Sequence, residues 1–415
     1  MSGTVYVPAD AAALALGADA AAAAIGREAR RRGMDVRIVR NGSRGLFWIE
    51  PLVEVATSSG RVAYGPVAAA DVPALFAAGL LDGREHPLRL GRIDELPYLA
   101  RQRRIVMNRV GIVDPGALDD YLAHGGGRGL DRARRMRPAD IVSAVIDSGL
   151  RGRGGAAFPA GIKWQTVLAA PAGRKYIVCN ADEGDSGTYS DRMLMEGDPF
   201  GLIEGMAIAG LAVGATKGYI YVRSEYPHAS ARLAATVAVA TDWLRDQSVD
   251  FAIEVRKGAG SYVCGEETAM LESIEGRRGL VRAKPPLPAI AGLFGQPTVI
   301  NNVVTLASVP VILAEGAAGC RDHGVGRSRG TLPFQLAGNI KHGGLVEVPF
   351  GHSLRELLHD FGGGSRTGRP LRAVQVGGPL GAYLSEAEFD TPLDYEAFAA
   401  IGASLGHGGI VAFDD

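Results

Sequence analysis

The sequence predicts a multidomain protein of mixed α/β and α+β class, and three observations carry that reading. The chain has 415 residues, which suits two or three domains of about 100–200 residues each. Between 161 and 275, helices alternate with strands at α/β spacing, and those strands are continuous apolar runs, as in a sheet covered on both faces. Both ends depart from this rhythm, with several short strands for each helix.

Residues 1–92 make the first unit. "TVYVP" reads as a short strand, and 10–32 as a helix ending in basic residues and a glycine stop, "REARRRG". "DVRIVRNGSRGLFWIEPLVEVATSSGRVAYGPV" gives strand, turn and further strands with β-branched alternation, and "AADVPALFAAGLLDG" is helical. This βαβ–ββα order predicts a small thioredoxin-like unit. It contains no cysteine, so it carries neither a redox dithiol nor a cluster. The alanine-rich run from Ala11 to Ala24 is broken by Asp19 and lacks a basic leader, which makes it an amphipathic helix rather than a signal peptide.

Residues 93–325 make the second unit, which opens helically over 95–148. In "DPGALDDYLAHGG", Asp114 is a cap with Pro115 at the first helical position. "RPADIVSAVIDSG" places Ile141, Val142, Val145 and Ile146 on one face and stops at Gly149. The alternation follows: helix "GIKWQTVLAA", strand "KYIVCNADEG", helix "PFGLIEGMAIAGLAVGA", strand "KGYIYVRSEYP", helix "HASARLAATVAVATDWLRDQ", strand "FAIEVRKGAG", helix "GEETAMLESIEG". "VRAKPPLPAIAGLFGQPTVINN" has four prolines and reads as a long irregular stretch, a kind usually tied to function. The helical "VVTLASVPVILAEGA" closes the unit. Residues 326–415 give strands "LPFQLAGNI" and "GLVEVPF", helix "SLRELLHDF", and strands "RAVQVGG" and "GGIVAFDD", a small α+β unit of ubiquitin-like (β-grasp) type.

Composition excludes several functions. Hydrophobic residues are 47%, charged residues 21%, and the net charge is −1, which gives no electrostatic footprint for nucleic acid or a membrane surface. No apolar run reaches the roughly 18 residues of a membrane span. Cys179, Cys264 and Cys320 are far apart and form no CxxC, so no metal site is expected. A sparse, odd cysteine count fits a reducing cytoplasm. No Ser/His/Asp, HExxH or Walker A pattern appears, and all eight histidines read as structural.

Four stretches carry chemistry. In "GLRGRGGAAFPAG" (149–161), Gly152, Gly154 and Ala157 match G-x-G-x-x-G/A, but a helix precedes the loop where a Rossmann fold requires a strand. The loop and the helix after it still suit an anion, with Phe158 to stack and Lys163 as a cation. "CNADEGDSG" (179–187) sets Asn180, Asp182, Glu183 and Asp185 at a strand's C-terminal end, where open α/β sheets bind ligands and carboxylates accept from ribityl or ribose hydroxyls. "GAGSYVCGEETA" (258–269) opens a helix with Glu266 and Glu267. There the helix dipole alone accounts for acids, while a carboxylate aimed at an adenosine ribose would select NAD over NADP. "INN" (300–302) with Thr305 offers uncharged groups to a phosphate or ring carbonyl, or only a helix cap.

Taken together and in order, "GLRGRGGAAFPAGIKW", "YIVCNADEGDSGTYSDR", "GAGSYVCGEETAMLESIEGRRG" and "KPPLPAIAGLFGQPTVINNV" resemble the flavin-bearing, NADH-binding subunits of the 51-kDa family, found in complex I and related diaphorases, from about 100 to 415. The fused N-terminal unit and the "NADEGDSG" and "KPPLPA" forms resemble the β subunit of cytoplasmic, molybdenum-containing NAD-dependent formate dehydrogenases. The resemblance implies one pocket for FMN and NAD in a Rossmann-like, non-classical α/β domain. It implies flavin contacts at Gly152, Arg153, Gly154, Lys163, Asn180, Asp182, Gly265, Glu266, Asn301, Asn302 and Thr305. On the NAD side it implies Phe158, Asp185, Tyr262, Glu267 and Lys284. The family often has Glu at the position of Asp185 and Phe at that of Leu287.

The resemblance also implies a helical [4Fe–4S] domain, expected to be absent from this chain as given to Asp415, whose three cysteines are not expected to replace the ligands. Implied partners are a small [2Fe–2S] subunit and a large molybdenum- and iron–sulfur-containing subunit. The expected activity is hydride exchange between NAD(H) and FMN, with no side chain as catalytic group and the net flow reducing NAD+ with electrons from formate. A complex I subunit oxidising NADH, a hydrogenase diaphorase and a non-catalytic assembly subunit are the alternatives.

Overall fold

The computed structural model describes residues 2–415. The first sheet has the order β2-β1-β3-β4-β5 and comprises β1 (Ser2–Tyr6), β2 (Asp35–Val39), β3 (Val53–Thr57), β4 (Gly60–Tyr64) and β5 (Arg89–Arg92). β1 and β2 are parallel and joined through the helix Ala18–Arg31, while β3, β4 and β5 pair antiparallel. Ile25, Val53, Val55, Tyr64, Leu75 and Phe76 fill the core between sheet and helices.

The second sheet is wholly parallel and has the order β8-β7-β6-β9: β6 (Tyr176–Ala181), β7 (Lys217–Val222), β8 (Ala252–Lys257) and β9 (Thr298–Asn302). The helices Ala160–Ala169, Pro199–Val213 and Val303–Glu315 pack into one large core with one face of this sheet. Met270, Leu271, Leu293 and Ile300 join Tyr176, Val178, Tyr219 and Tyr221 in a second cluster. Burial on both faces explains why β6 and β7 read as continuous apolar runs rather than alternating ones.

The helix Pro199–Val213 is buried almost all round. Its glycines permit this: a Cβ on Gly205 would lie 2.0 Å from the Leu306 carbonyl oxygen of the crossing helix. Its single acid, Glu204, is buried but fully used. It accepts from the Gly127 and Leu130 amides at 2.7 and 2.8 Å, and from the Tyr121 hydroxyl.

A short ribbon of β10 (Gly324–Val325) and β11 (Ser328–Arg329) precedes the third large sheet, of order β13-β12-β16-β14-β15. That sheet holds β12 (Thr331–Gly338), β13 (Gly344–Pro349), β14 (Leu371–Val376), β15 (Ala382–Ser385) and β16 (Gly409–Asp414). β12 and β16 run parallel at its centre. One buried carboxylate ties it to the segment 105–107: Glu347 accepts from the amides of Ile105, Val106 and Met107 at 2.8–3.0 Å and from the Thr331 hydroxyl at 2.5 Å.

Several elements differ from the sequence reading. The helix expected from Pro115 begins at Leu118, because Asp114 caps a turn at Gly116 instead. The proline-rich stretch ends in β9, a strand specified by its partner β6, which pairs Tyr176 with Thr298. β5, β15 and the helix Tyr395–Ala400 carry no clear sequence signal, being short elements amid glycines and polar residues. Among the described residues no helix is long and apolar enough to cross a membrane.

Candidate functional site

The chain leaves β6 toward β7 on one side and returns to β9 on the other. That reversal is a topological switch point, and open parallel sheets bind ligands just beyond the strands' carboxyl ends there. The register brings the relevant side chains together, since Cys179 faces Asn301 and Asn180 faces Asn302 across the two strands. The cleft has two adjoining lobes of about 520 and 450 Å3, with Gly154, Asn180, Gly265, Glu266 and Asn302 shared between them. These volumes lie in the range of cofactor sites.

The glycine loop is one wall. Gly152 N–H donates to the Phe158 carbonyl at 2.8 Å, closing the loop on itself. At Gly154 a Cβ would stand 3.0 Å from Asn302 Cβ, so the absence of a side chain lets the loop lie against β9. The preceding element is the helix Pro138–Asp147, in keeping with a non-Rossmann loop. Phe158 is 51% exposed at the rim of the second lobe.

Arg153 and Thr305 depart from the expectation. Neither lines the cleft. The Arg153 amide donates to Thr305 Oγ1 at 2.9 Å, while its guanidinium turns inward, 4.8 Å over the Phe350 ring, and donates to the Arg329 carbonyl. With Arg153 only 1% exposed, the pair fastens the loop to a helix start and to the third sheet rather than presenting groups to a ligand.

The first lobe is acidic. Asn180 is used structurally: its amide donates to the Gly265 carbonyl at 2.8 Å and its oxygen accepts from the Asp182 amide. Asp182 Oδ2 is buried with no partner, and burial raises the carboxyl to about 6. Glu183 lies deeper, accepting from the Asp191 and Arg192 amides and from Tyr226; burial and the neighbouring Asp191 raise it as well. Asp185 accepts from the Tyr262 hydroxyl at 2.7 Å across the mouth.

The second lobe carries paired charges. Glu266 caps the helix Glu267–Ile274, accepting from Thr268 and Ala269. Burial opposes its charge, but these bonds and Lys284 outweigh burial and lower its pKa. Lys284 Nζ reaches Glu266 at 3.0 Å and Glu267 at 2.8 Å, and Lys163 Nζ stands 3.6 Å from Glu267 and donates to the Ile300 carbonyl. Burial lowers the Lys163 pKa. Asn301 accepts from the Trp164 indole at 2.8 Å, and Leu287 stands at the rim where the family often has an aromatic ring.

Sequence reasoning named Asn302 but missed Asp191 and His407, which close the first lobe. Asn302 both caps the helix Val303–Glu315 and donates to Asp191 Oδ2 at 2.7 Å. Asp191 in turn faces His407, whose Nε2 stands 3.2 Å from Asp191 Oδ1 and 3.2 Å from Ser190 Oγ. His407 comes from the third sheet's unit, with Gly377, Leu380, Ser404 and Gly406 beside it. It is therefore a cleft residue, against the structural reading given to all histidines. The available signal was the glycine context of "LGHGG", but its partners lie more than 200 residues away in sequence.

The donor set fits FMN and NAD. An unspent buried carboxylate oxygen on Asp182 awaits a donor such as a hydroxyl or ring N–H. Phosphates suit the lobe with two lysines, and flat rings suit the glycine wall and the aromatic rim.

Comparison with known proteins agrees. Residues 145–311 match the Nuo51 FMN-binding domain family. The chain is 46% identical over 321 residues to the NADP-reducing hydrogenase subunit HndC of Solidesulfovibrio fructosivorans, covering 76% of this chain and 65% of that protein. It thus spans about two thirds of that relative's length. It is 44% identical over 318 residues to the F 2 subunit of the NADH-quinone oxidoreductase of Rhizobium meliloti (strain 1021), covering 75% of this chain and 76% of the relative. The crystal structure of an NAD+-reducing [NiFe]-hydrogenase in the H2-reduced state aligns with a TM-score of 0.65 at 30% identity, over 99% of this chain and 68% of that one. The chain belongs to the 51-kDa family of FMN- and NADH-binding oxidoreductase subunits.

Proposed function

We propose that this chain is the diaphorase subunit of a larger complex, exchanging a hydride between NAD(H) and FMN and passing electrons to or from iron–sulfur centres. The observation that carries this is the two-lobed cleft at the β6/β9 switch point, lined by every expected site residue except Arg153 and Thr305. Bound FMN supplies hydride exchange with nicotinamide and one-electron exchange with clusters. The chain's own residues bind and orient. Asp182 accepts from a donor on the ring or its ribityl chain. Lys163 and Lys284 neutralise phosphate, and the glycine loop gives a flat wall for stacked rings. Glu267, fixed by both lysines, receives the adenosine ribose hydroxyls. Arg153 and Thr305 act as positioning residues for the loop.

The same reading divides the chain into a thioredoxin-like unit at 1–92, the FMN- and NAD-binding unit at 93–325 and a β-grasp unit at 326–415; the separate sheets support it. It places the protein in the cytoplasm beside a [2Fe–2S] subunit. For the ultimate donor, "NADEGDSG" and "KPPLPA" favour formate oxidised on a molybdenum-containing partner. Hydrogen is the second reading, favoured by the hydrogenase alignment over 99% of this chain. That coverage includes the N-terminal unit, which therefore does not separate the two. After incubation with FMN and removal of unbound flavin by gel filtration, the purified chain is expected to retain flavin absorbance bands at 1:1; a chain that retains no flavin would overturn the reading. Copurification of a molybdenum subunit supports formate, and of a nickel–iron subunit, hydrogen.

A further inference from the structure

The acidic lobe presents an electrostatic problem. Asp182, Glu183, Asp185, Asp191 and Glu266 all line it; Lys284 pairs Glu266 from the neighbouring lobe, and His407 is the one basic side chain lining this lobe among the described residues. Under the reading above, Asp182 accepts from a donor on the flavin ring or its ribityl chain, which sets the flavin beside this acidic lobe. Reduction adds negative charge to a flavin ring, and carboxylates around it oppose that addition in a site of low dielectric.

Resting on that reading, we infer that His407 is a positioning residue which brings a resident positive charge from the C-terminal unit to the acidic lobe and so favours the reduced flavin. Its surroundings hold it there. Asp191 Oδ1 and Ser190 Oγ each lie 3.2 Å from Nε2, and Glu183 Oε1 lies at 4.0 Å. From β12, Gln335 donates to the His407 carbonyl at 3.0 Å, fixing the backbone. Asp185 is the third acid that acts on the ring, while Arg192 and Arg223 lie over the ring of Tyr226, whose hydroxyl donates to Glu183. The imidazole is only 6% exposed. Burial opposes its charge, but Asp191 and Glu183 outweigh burial and raise it to about 9, so the cation is present at neutral pH and lost above 9. Through Asp191 the same contact reaches Asn302, which lines both lobes, so charge and cleft geometry are joined.

The test is a spectroscopic redox titration of the FMN-loaded full chain. At pH 7, His407→Asn is expected to lose about tenfold in its preference for reduced over oxidised flavin, a midpoint potential about 30 mV lower for a two-electron couple. The gap is expected to close near pH 10.5, where the wild type has also lost the proton. Equal potentials at pH 7, or a gap that persists at pH 10.5, would overturn the inference. So would a stoichiometric divalent metal in the wild type that is absent from the variant, since the cluster would then be a metal site. If His407→Asn does not retain flavin, His407→Lys carries the test: it is expected to match the wild type at pH 7 and exceed it at pH 10. A Lys variant below the wild type at pH 7 refutes the charge role. A wild type that retains no flavin after gel filtration defeats the functional reading itself, whereas retained flavin with unchanged potentials defeats only this inference.

Discussion

Replacing Glu267 by Gln tests the assignment of the adenosine end. Glu267 opens a helix and is held by Lys284 at 2.8 Å and Lys163 at 3.6 Å. With Glu266 these four side chains balance, two cations against two anions. Gln keeps the shape but leaves one net positive charge where a 2′-phosphate would arrive. Two unit charges 4 Å apart are worth about 1 kcal/mol in water, and a phosphate monoester carries nearly two charges at neutral pH. Removing the acid is therefore worth about 2 kcal/mol toward the phosphorylated nucleotide, or about 30-fold at 1.4 kcal/mol per decade. The assay is steady-state reduction of an artificial acceptor by the FMN-loaded chain with NADH and with NADPH. The expected result is a rise of about 30-fold in the NADPH:NADH ratio of kcat/KM, shrinking at high salt as screening sets in. A ratio within twofold of the wild type would refute the placement.

Two further predictions concern stability. The Asp182 carboxyl has its folded pKa raised by burial to about 6, so its contribution is greatest below its unfolded value near 4 and is lost as pH rises through 6. Asp182→Asn is therefore expected to stabilise the cofactor-free chain by about 1–2 kcal/mol at pH 8 and little at pH 4, given solvent screening at this partly exposed site; equal effects in denaturation at both pH values would refute this. Glu347→Gln puts an amide NH2 against a backbone donor where one carboxylate accepts from four groups. Each charge-assisted bond is worth about 1.5–3 kcal/mol, so the apparent Tm is expected to fall by at least ~5 °C, and an unchanged Tm would show that segment 105–107 is held by other contacts.

Much of the site was legible because its parts lie at ends of elements that announce themselves. "YIVCNADEG" is an apolar run stopped by acids, and its tip is the floor of the cleft. "GEETAM" signals a helix start, and Glu266 is its cap. Arg153 escapes such reading because a motif assigns a position and says nothing about where a long side chain goes; its guanidinium follows the Arg329 carbonyl, 176 residues on, and the Phe350 ring beyond it in sequence.

The sequence alone determined the types of the long elements, the break with the Rossmann pattern and the family, since these depend on local periodicity and contiguous motifs. Tertiary structure decided the rest. β9 exists as a strand because β6 supplies its hydrogen bonds, and its place beside β6 creates the switch point. The acidic lobe is closed by Asp191 and His407, 216 residues apart in the chain but 3.2 Å apart in the fold. Hydrogen bonds and charges act over ångströms of space, and no local pattern records which distant residues will share them.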